Sequence, residues 1–311
     1  MVFRRKRMLD IKRILVASDM SESSALAETR AAKLCIRFGL PELELVNVQD
    51  TGFADILGQI LGGAEKKSEE LVIEQVTRDF EPLRKRMTDS FGINTKLTVL
   101  FGRPSIEIAR YTKQSRADLI VVGAKRPGLG RNFFLGNTPD RLLHVTSVPL
   151  LIVRQEPDSP YQKALIPVDF SQNSIYAARV AVELMLPASR KIFLHAYDVP
   201  NEGLMRYANV SPDLIGSYRT EAKRNAEDEM EQLIASLDSN NRISQVIQYG
   251  GAVRIIEDYV NANNPDLIVM GKQGRSNFEN LLLGSTTRNT VNETSCDILI
   301  VPLMQKPAPE A

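Results

Sequence analysis

DLIVVGAKR at 118–126 and DLIVMGKQG at 266–274 are one pattern written twice, 148 residues apart. Each opens on an Asp, runs through Leu, Ile and Val, and reaches a glycine where the run ends. A continuous β-branched run of this length reads as a strand buried on both faces, the signature of a parallel sheet with helices on either side. Working outward, TSVPLLIVR from Thr146 matches TSCDILIVP from Thr294 at the same offset, and FGRP from Phe101 matches YGGA from Tyr249. ILVASDMS from Ile14 matches ALIPVDFS from Ala164 at an offset of 150. Four collinear matches at a period too long for a solenoid identify a duplicated domain. The joint falls in RQEPDSPYQK at 154–163, whose prolines and polar residues suit a surface linker, so the expected domains are 1–156 and 157–311.

Within the second copy, strand ALIPVD precedes a helix with Ile175, Ala178, Val182 and Met185 on one face and Ser171 as its N-cap. KIFLHAY is a second strand, 212–237 a long helix and ISQVIQY a third strand. A helix, DLIVMG, another helix and DILIVP complete the unit. The predicted fold class is therefore α/β: two tandem doubly wound, Rossmann-like domains, each a five-stranded parallel sheet flanked by helices. Ligands are expected beyond the carboxyl ends of the strands.

Composition narrows the partners. Lys and Arg number 39 against 38 Asp and Glu, so no global basic field draws in nucleic acid or an anionic membrane. The basic run Arg4 to Arg7 reads as a solvated tail, and Asp10 and Lys12 interrupt any apolar stretch after it. No nucleic-acid partner and no stable membrane insertion are expected, and a cytoplasmic location is. Cys35 and Cys296 read as buried thiols, and the two histidines form no metal cluster. His195, inside a strand, reads as a core histidine.

The loop after DLIVMG carries the chemistry. Gly271, Gly274 and Gly284 let backbone amides approach an anion without a Cβ in the way, and Gly284, Ser285 and Thr286 open a helix whose dipole favours phosphate. Lys272 and Arg275 are placed to add charge-assisted contacts. The spacing is not that of a P-loop. Asp169, at the end of the first strand of this copy, can accept hydrogen bonds from a ribose or a base, or can cap the following helix.

With these residues the chain resembles a tandem universal stress protein. The family pattern, G-x2-G-x9-G-[S/T] after the fourth strand with an Asp closing the first, falls on Gly271, Gly274, Gly284, Ser285 and Asp169, and the strand order matches from about Lys12 to Pro302. The resemblance implies an adenine nucleotide alpha-hydrolase-like sheet that binds ATP, with or without Mg²⁺ or Mn²⁺. The base would lie at Pro167, Val168, Asp169 and Ala196. Sugar and phosphates would lie at Met270, Gly271, Lys272, Gly274, Gly284, Ser285 and Thr286. It also implies pairing of the two domains through their fifth strands, and a homodimer by family habit.

The first copy departs from the pattern. Asp19, Gly123 and Gly136 are kept, but Arg126 replaces the middle glycine and Asn137 the Ser/Thr, ahead of Thr138. Arg126 would fill the phosphate space or bind a phosphate itself; Asn137 is expected to cap the helix. This copy is a doubtful ATP site, open to another ligand. Two flaps are read as packing elements or lids: an amphipathic segment at 51–67 with Phe53, Ile56, Leu57, Ile60 and Leu61 on one face, and NEGLMRYANVSPDL with Met205 and Tyr207. The sequence shows no acid/base pair or activated nucleophile, so no catalytic residue is assigned. A nucleotide-responsive stress or regulatory module is expected, with a slow Mg²⁺-dependent ATPase or nucleotide-dependent enzyme as the alternative.

Overall fold

A computed structural model describes residues 11–52, 65–124, 135–237, 241–274 and 283–303. The chain divides into two compact units that meet at Asp158 and Ser159. The first runs β1 (Ile14–Ala17), α1 (Glu22–Phe38), β2 (Glu42–Gln49), α2 (Glu65–Phe91), β3 (Asn94–Phe101), α3 (Pro104–Ser115), β4 (Leu119–Gly123), α4 (Asn137–Val145) and β5 (Leu150–Val153). The second runs β6 (Lys163–Pro167), α5 (Gln172–Leu184), β7 (Arg190–Tyr197), α6 (Glu202–Tyr207), α7 (Pro212–Ala235), β8 (Ile243–Tyr249), α8 (Ala252–Asn263), β9 (Leu267–Gly271), α9 (Ser285–Glu293) and β10 (Asp297–Val301).

Each unit holds five parallel strands. The order is β3-β2-β1-β4-β5 in the first and β8-β7-β6-β9-β10 in the second. The apolar runs that decided the reading form the middle of these sheets: Leu119, Ile120 and Val121, like Leu267, Ile268 and Val269, are buried to 1% exposure or less. Such strands pack only when helices cover both faces, which is what the alternating chain supplies. The sequence order reverses direction across the sheet between β1 and β4, and again between β6 and β9. Loops leaving those neighbouring strands diverge and open a crevice. Residues that follow β1 and β4, or β6 and β9, therefore face one another.

Helix starts follow the sequence signals. Ser21 and Ser171 cap α1 and α5, each accepting a hydrogen bond from the N–H three residues on. The long helix expected at 212–237 ends at Ala235. The joint is less superficial than its composition suggests. Tyr161 is buried and its hydroxyl donates to Asp297 Oδ2 at 2.7 Å, while Ser189 Oγ donates to the Tyr161 carbonyl. Both cysteines are buried free thiols, and burial pushes the Cys35 thiol up to about 12. Among the described residues no helix is long and apolar enough to cross a membrane.

Candidate functional site

In the second unit β6 ends at Pro167, so Asp169 lies two residues beyond the strand rather than closing it. Val168 N–H still donates to the Leu194 carbonyl at 2.8 Å, which extends the β6–β7 ladder by one rung. Asp169 Oδ1 then accepts from the Ser171 N–H at 3.0 Å and the Ser171 hydroxyl at 2.6 Å. That oxygen ties the turn to Ser171, whose own hydroxyl caps α5. Between them Phe170 is held in the left-handed region at φ 61, and its counterpart Met20 at φ 62. A bulky non-glycine residue there costs on the order of 1–3 kcal/mol, and such strain collects at ligand sites. Two copies of the same strained turn, each after the same Asp, mark the turn as a feature of the fold.

The β9 loop closes over this turn. A Cβ on Gly274 would lie 2.6 Å from Asp169 Oδ2, and one on Gly271 would lie 3.0 Å from the Asn173 side chain and 3.2 Å from its backbone. Neither position accepts a side chain without displacing its neighbour, so both glycines exist for close approach. Asn173 Nδ2 donates to the Gln273 carbonyl at 3.0 Å, Gly284 N–H to the Lys272 carbonyl at 3.0 Å, and Thr287 Oγ1 to the Gly271 carbonyl at 3.0 Å. These bonds fix the loop against α5 and α9. Helix α9 starts at Ser285 after Gly284, and among the described residues no side chain caps it. Its first amide groups and dipole are thereby left for an anion. Lys272 is 7% exposed, and burial holds its ammonium below the usual lysine range.

The structure thus brings together Pro167, Val168, Asp169, Met270, Gly271, Lys272, Gly274, Gly284, Ser285 and Thr286, with Ala196 near the end of the adjacent β7. Arg275 lies outside the described residues. His195, read as a core histidine, is half-buried instead: its Nδ1 donates to the Val168 carbonyl at 2.8 Å, and its ring lies 4.4 Å from that of Phe170. A carbonyl only accepts, so Nδ1 carries the proton. Asn47 holds the equivalent place in the first unit, donating to the Ser18 carbonyl at 2.9 Å.

The first-unit residues Asp19, Gly123, Gly136, Asn137 and Thr138 also converge, around a cleft of about 210 Å³. A Cβ on Gly123 would sit 2.0 Å from the Ser23 carbonyl oxygen, so that glycine too is obligatory. Burial pushes the Asp19 carboxyl up, but donors from Ser21 and Ser24 outweigh it and hold the group below the usual carboxylate range. One expectation is corrected: Gly136, at φ 86, is the N-cap of α4, and Asn137 is its first helical residue with no capping bond. The positive φ required at the cap excludes Asn less strongly than other residues, but Gly is better placed there. Arg126, the basic run Arg4 to Arg7, and Phe53, Ile56, Leu57, Ile60 and Leu61 of the first flap lie outside the described residues.

Two side-chain clusters, one around the buried Glu28 and one at the surface around Glu202, were not read from the sequence. Ser18 Oγ donates to Glu28 Oε1 at 2.6 Å, and Arg86 pairs with Glu28 Oε2 at 2.9 Å; burial pushes the Glu28 carboxyl up. In the second flap Glu202 gathers Arg206, Arg219 and the Tyr249 hydroxyl, with Arg219 stacked 4.2 Å over the Tyr249 ring. The Glu202–Arg206 spacing of four is visible in the sequence; the long-range members are not. Tyr207, read as a lid contact, is 88% exposed.

The universal stress protein family model matches residues 10–154 and 160–302. A universal stress protein of Mycobacterium tuberculosis is 25% identical over 225 residues, 68% of this chain and 66% of that protein. One from Methanocaldococcus jannaschii is 28% identical over 160 residues, 45% of this chain and 94% of that protein. Among solved structures, a universal stress protein from Archaeoglobus fulgidus superposes with a TM-score of 0.63 at 17% identity, covering 95% of this chain and 99% of its own. With the model matched once in each half, the chain belongs to the universal stress protein family.

Proposed function

We propose that the second unit binds ATP and that the protein works as a nucleotide-responsive regulatory module. The observation that carries this reading is the close approach of Gly274 to Asp169, where a Cβ would lie 2.6 Å from the carboxylate oxygen Oδ2. A strand-end loop drawn against a carboxylate, ending on an uncapped helix, offers acceptors to a ribose at one end and amides to phosphates at the other. Pro167, Val168 and Ala196 would flank the base. Lys272 would meet the phosphate charge, which offsets the cost of burying its ammonium. Among the described residues no group of three or more His, Cys, Asp or Glu could hold a metal ion. A divalent cation at this site would take its oxygens mainly from the phosphates and water.

Binding is tested by titrating ATP into the purified chain by calorimetry, beside the Gly274→Arg variant. The expected outcome is saturable binding in the parent and loss of at least a hundredfold in affinity in the variant, whose side chain must displace Asp169. Equal affinity in the two proteins would show that ATP sits elsewhere or not at all. Turnover measured with Mg²⁺ on the same samples separates a binding module, which releases no phosphate over many equivalents of ATP, from an ATPase.

A further inference from the structure

Helix α6 and the start of α7 line a cavity of about 480 Å³ at the surface of the second unit. None of its described lining residues belongs to the β6 or β9 loops that form the ligand crevice. Val210, Pro212 and Ile215 give it an apolar side, and Arg206, Arg219 and Asn209 a polar one. The lining carries two cations and no carboxylate, and Asp213, next to Pro212, is exposed and lies outside it. A space of this size suits a small organic molecule, whereas a bare ion, not much larger than a water at roughly 30 Å³, would fill little of it.

The two guanidinium groups are already held in place. Glu202 accepts from Arg206 Nε and from Arg219 Nε, each at 2.9 Å, and Nη2 of each arginine contacts the same carboxylate. Arg219 also lies 4.2 Å over the ring of Tyr249, whose hydroxyl donates to Glu202 Oε2, and Tyr197 meets Tyr249 edge-on with ring centroids 5.6 Å apart. One carboxylate shared by two guanidinium groups leaves one positive charge unmatched. Nη1 of each arginine makes no hydrogen bond among the described residues, so both keep donors for a second anion. Planar groups fixed in this way are suited to bidentate capture of an oxyanion. The first unit has Phe101 in place of Tyr249, with no hydroxyl to hold such a carboxylate.

We propose that this cavity is a binding site separate from the crevice, for a small organic oxyanion whose phosphate or carboxylate head sits on Arg206 and Arg219 and whose apolar body lies against Val210, Pro212 and Ile215. Glu202 orients the two arginines without using all their donors. Arg206 comes from α6 and Arg219 from α7, so an anion held by both ties the short helix to the long one and steadies the flap. The site stands on its own residues and does not depend on ATP binding in the crevice.

Phenyl phosphate and benzoate carry the two heads on one ring. Benzyl alcohol keeps the ring without the charge, and inorganic phosphate and acetate keep the charge without the ring. Each is titrated into the full chain at constant ionic strength while NMR follows the amide signal of Gly216, which lines the cavity. At least one of the two ring-bearing anions is expected to shift that signal saturably, and to bind about tenfold or more tightly than both benzyl alcohol and its own bare ion. The tighter of the two identifies the head. Arg206→Gln, at a side chain 61% exposed, is expected to weaken that binding about tenfold with little change in melting temperature. Binding no tighter than that of the bare ions or of benzyl alcohol, or undiminished in Arg206→Gln, would overturn the proposal. Gly216 lies outside the loop after β9, so failure of ATP to bind the crevice leaves this result standing.

Discussion

Gly274 and Asp169 are 105 positions apart in the chain yet leave no space for a methyl group between them. The sequence pattern names both residues, but their contact depends on β6 and β9 being neighbours in the sheet, which periodicity does not reveal. The same holds for Phe170, whose left-handed backbone has no glycine or asparagine to announce it. His195 was legible only in part: a histidine within an apolar strand has few places to go except a backbone carbonyl, but this one is half-buried rather than in the core. Lys272 gives the sharpest prediction at this scale. Its pKa is lowered from 10.5 by burial, so the folded chain binds fewer protons than the unfolded one. The cost of burying the charge is fully felt below the folded pKa and is relieved as pH rises toward the unfolded value. Lys272→Met is expected to flatten the dependence of stability on pH across that window and to weaken ATP binding about tenfold or more. A lowered melting temperature with unchanged ATP affinity would place the ammonium in a purely structural role.

In the second copy the strands and the long helix at 212–237 were read from the sequence to within about two residues of their ends, because buried parallel strands and amphipathic helices carry strong periodic signals. Short elements were less legible. Helix α6 has six residues and no buried side chain, so nothing in its pattern fixes its position. What fixes it is Glu202, whose carboxylate is held down at about 2 by donors from Arg219 and Tyr249, with Arg206 adding a third contact. A carboxyl pKa depressed in the folded state contributes stability above its unfolded value of 4.5, and loses it as pH falls toward about 2. Hydrogen exchange should show amides 202–207 losing protection across that window in the parent chain. Glu202→Gln should exchange about tenfold faster at neutral pH and respond little to acid. Identical protection in both proteins would mean that backbone bonds alone hold the helix. Helices α4 and α9 show the same limit from the other side: the place where each opens was legible, but Gly136 rather than Asn137 caps α4, because the choice turns on a positive φ at that one residue.

At the scale of the whole chain, duplication was the most legible property, since collinear matches need no structural knowledge. Divergence between the copies was only half legible. The lost glycine at Arg126 drew attention to the first loop, yet Asp19, Gly123, Gly136, Asn137 and Thr138 still line a cleft. If the second unit alone binds ATP, as proposed, the chain takes one ATP and not two. The most direct measurement is the nucleotide content and binding stoichiometry of the purified full-length protein, by mass spectrometry of the extract and calorimetric titration with ATP. One ATP per chain, lost in Gly274→Arg, is the expected result. Two equivalents per chain, or none in the extract and no uptake on titration, would contradict it.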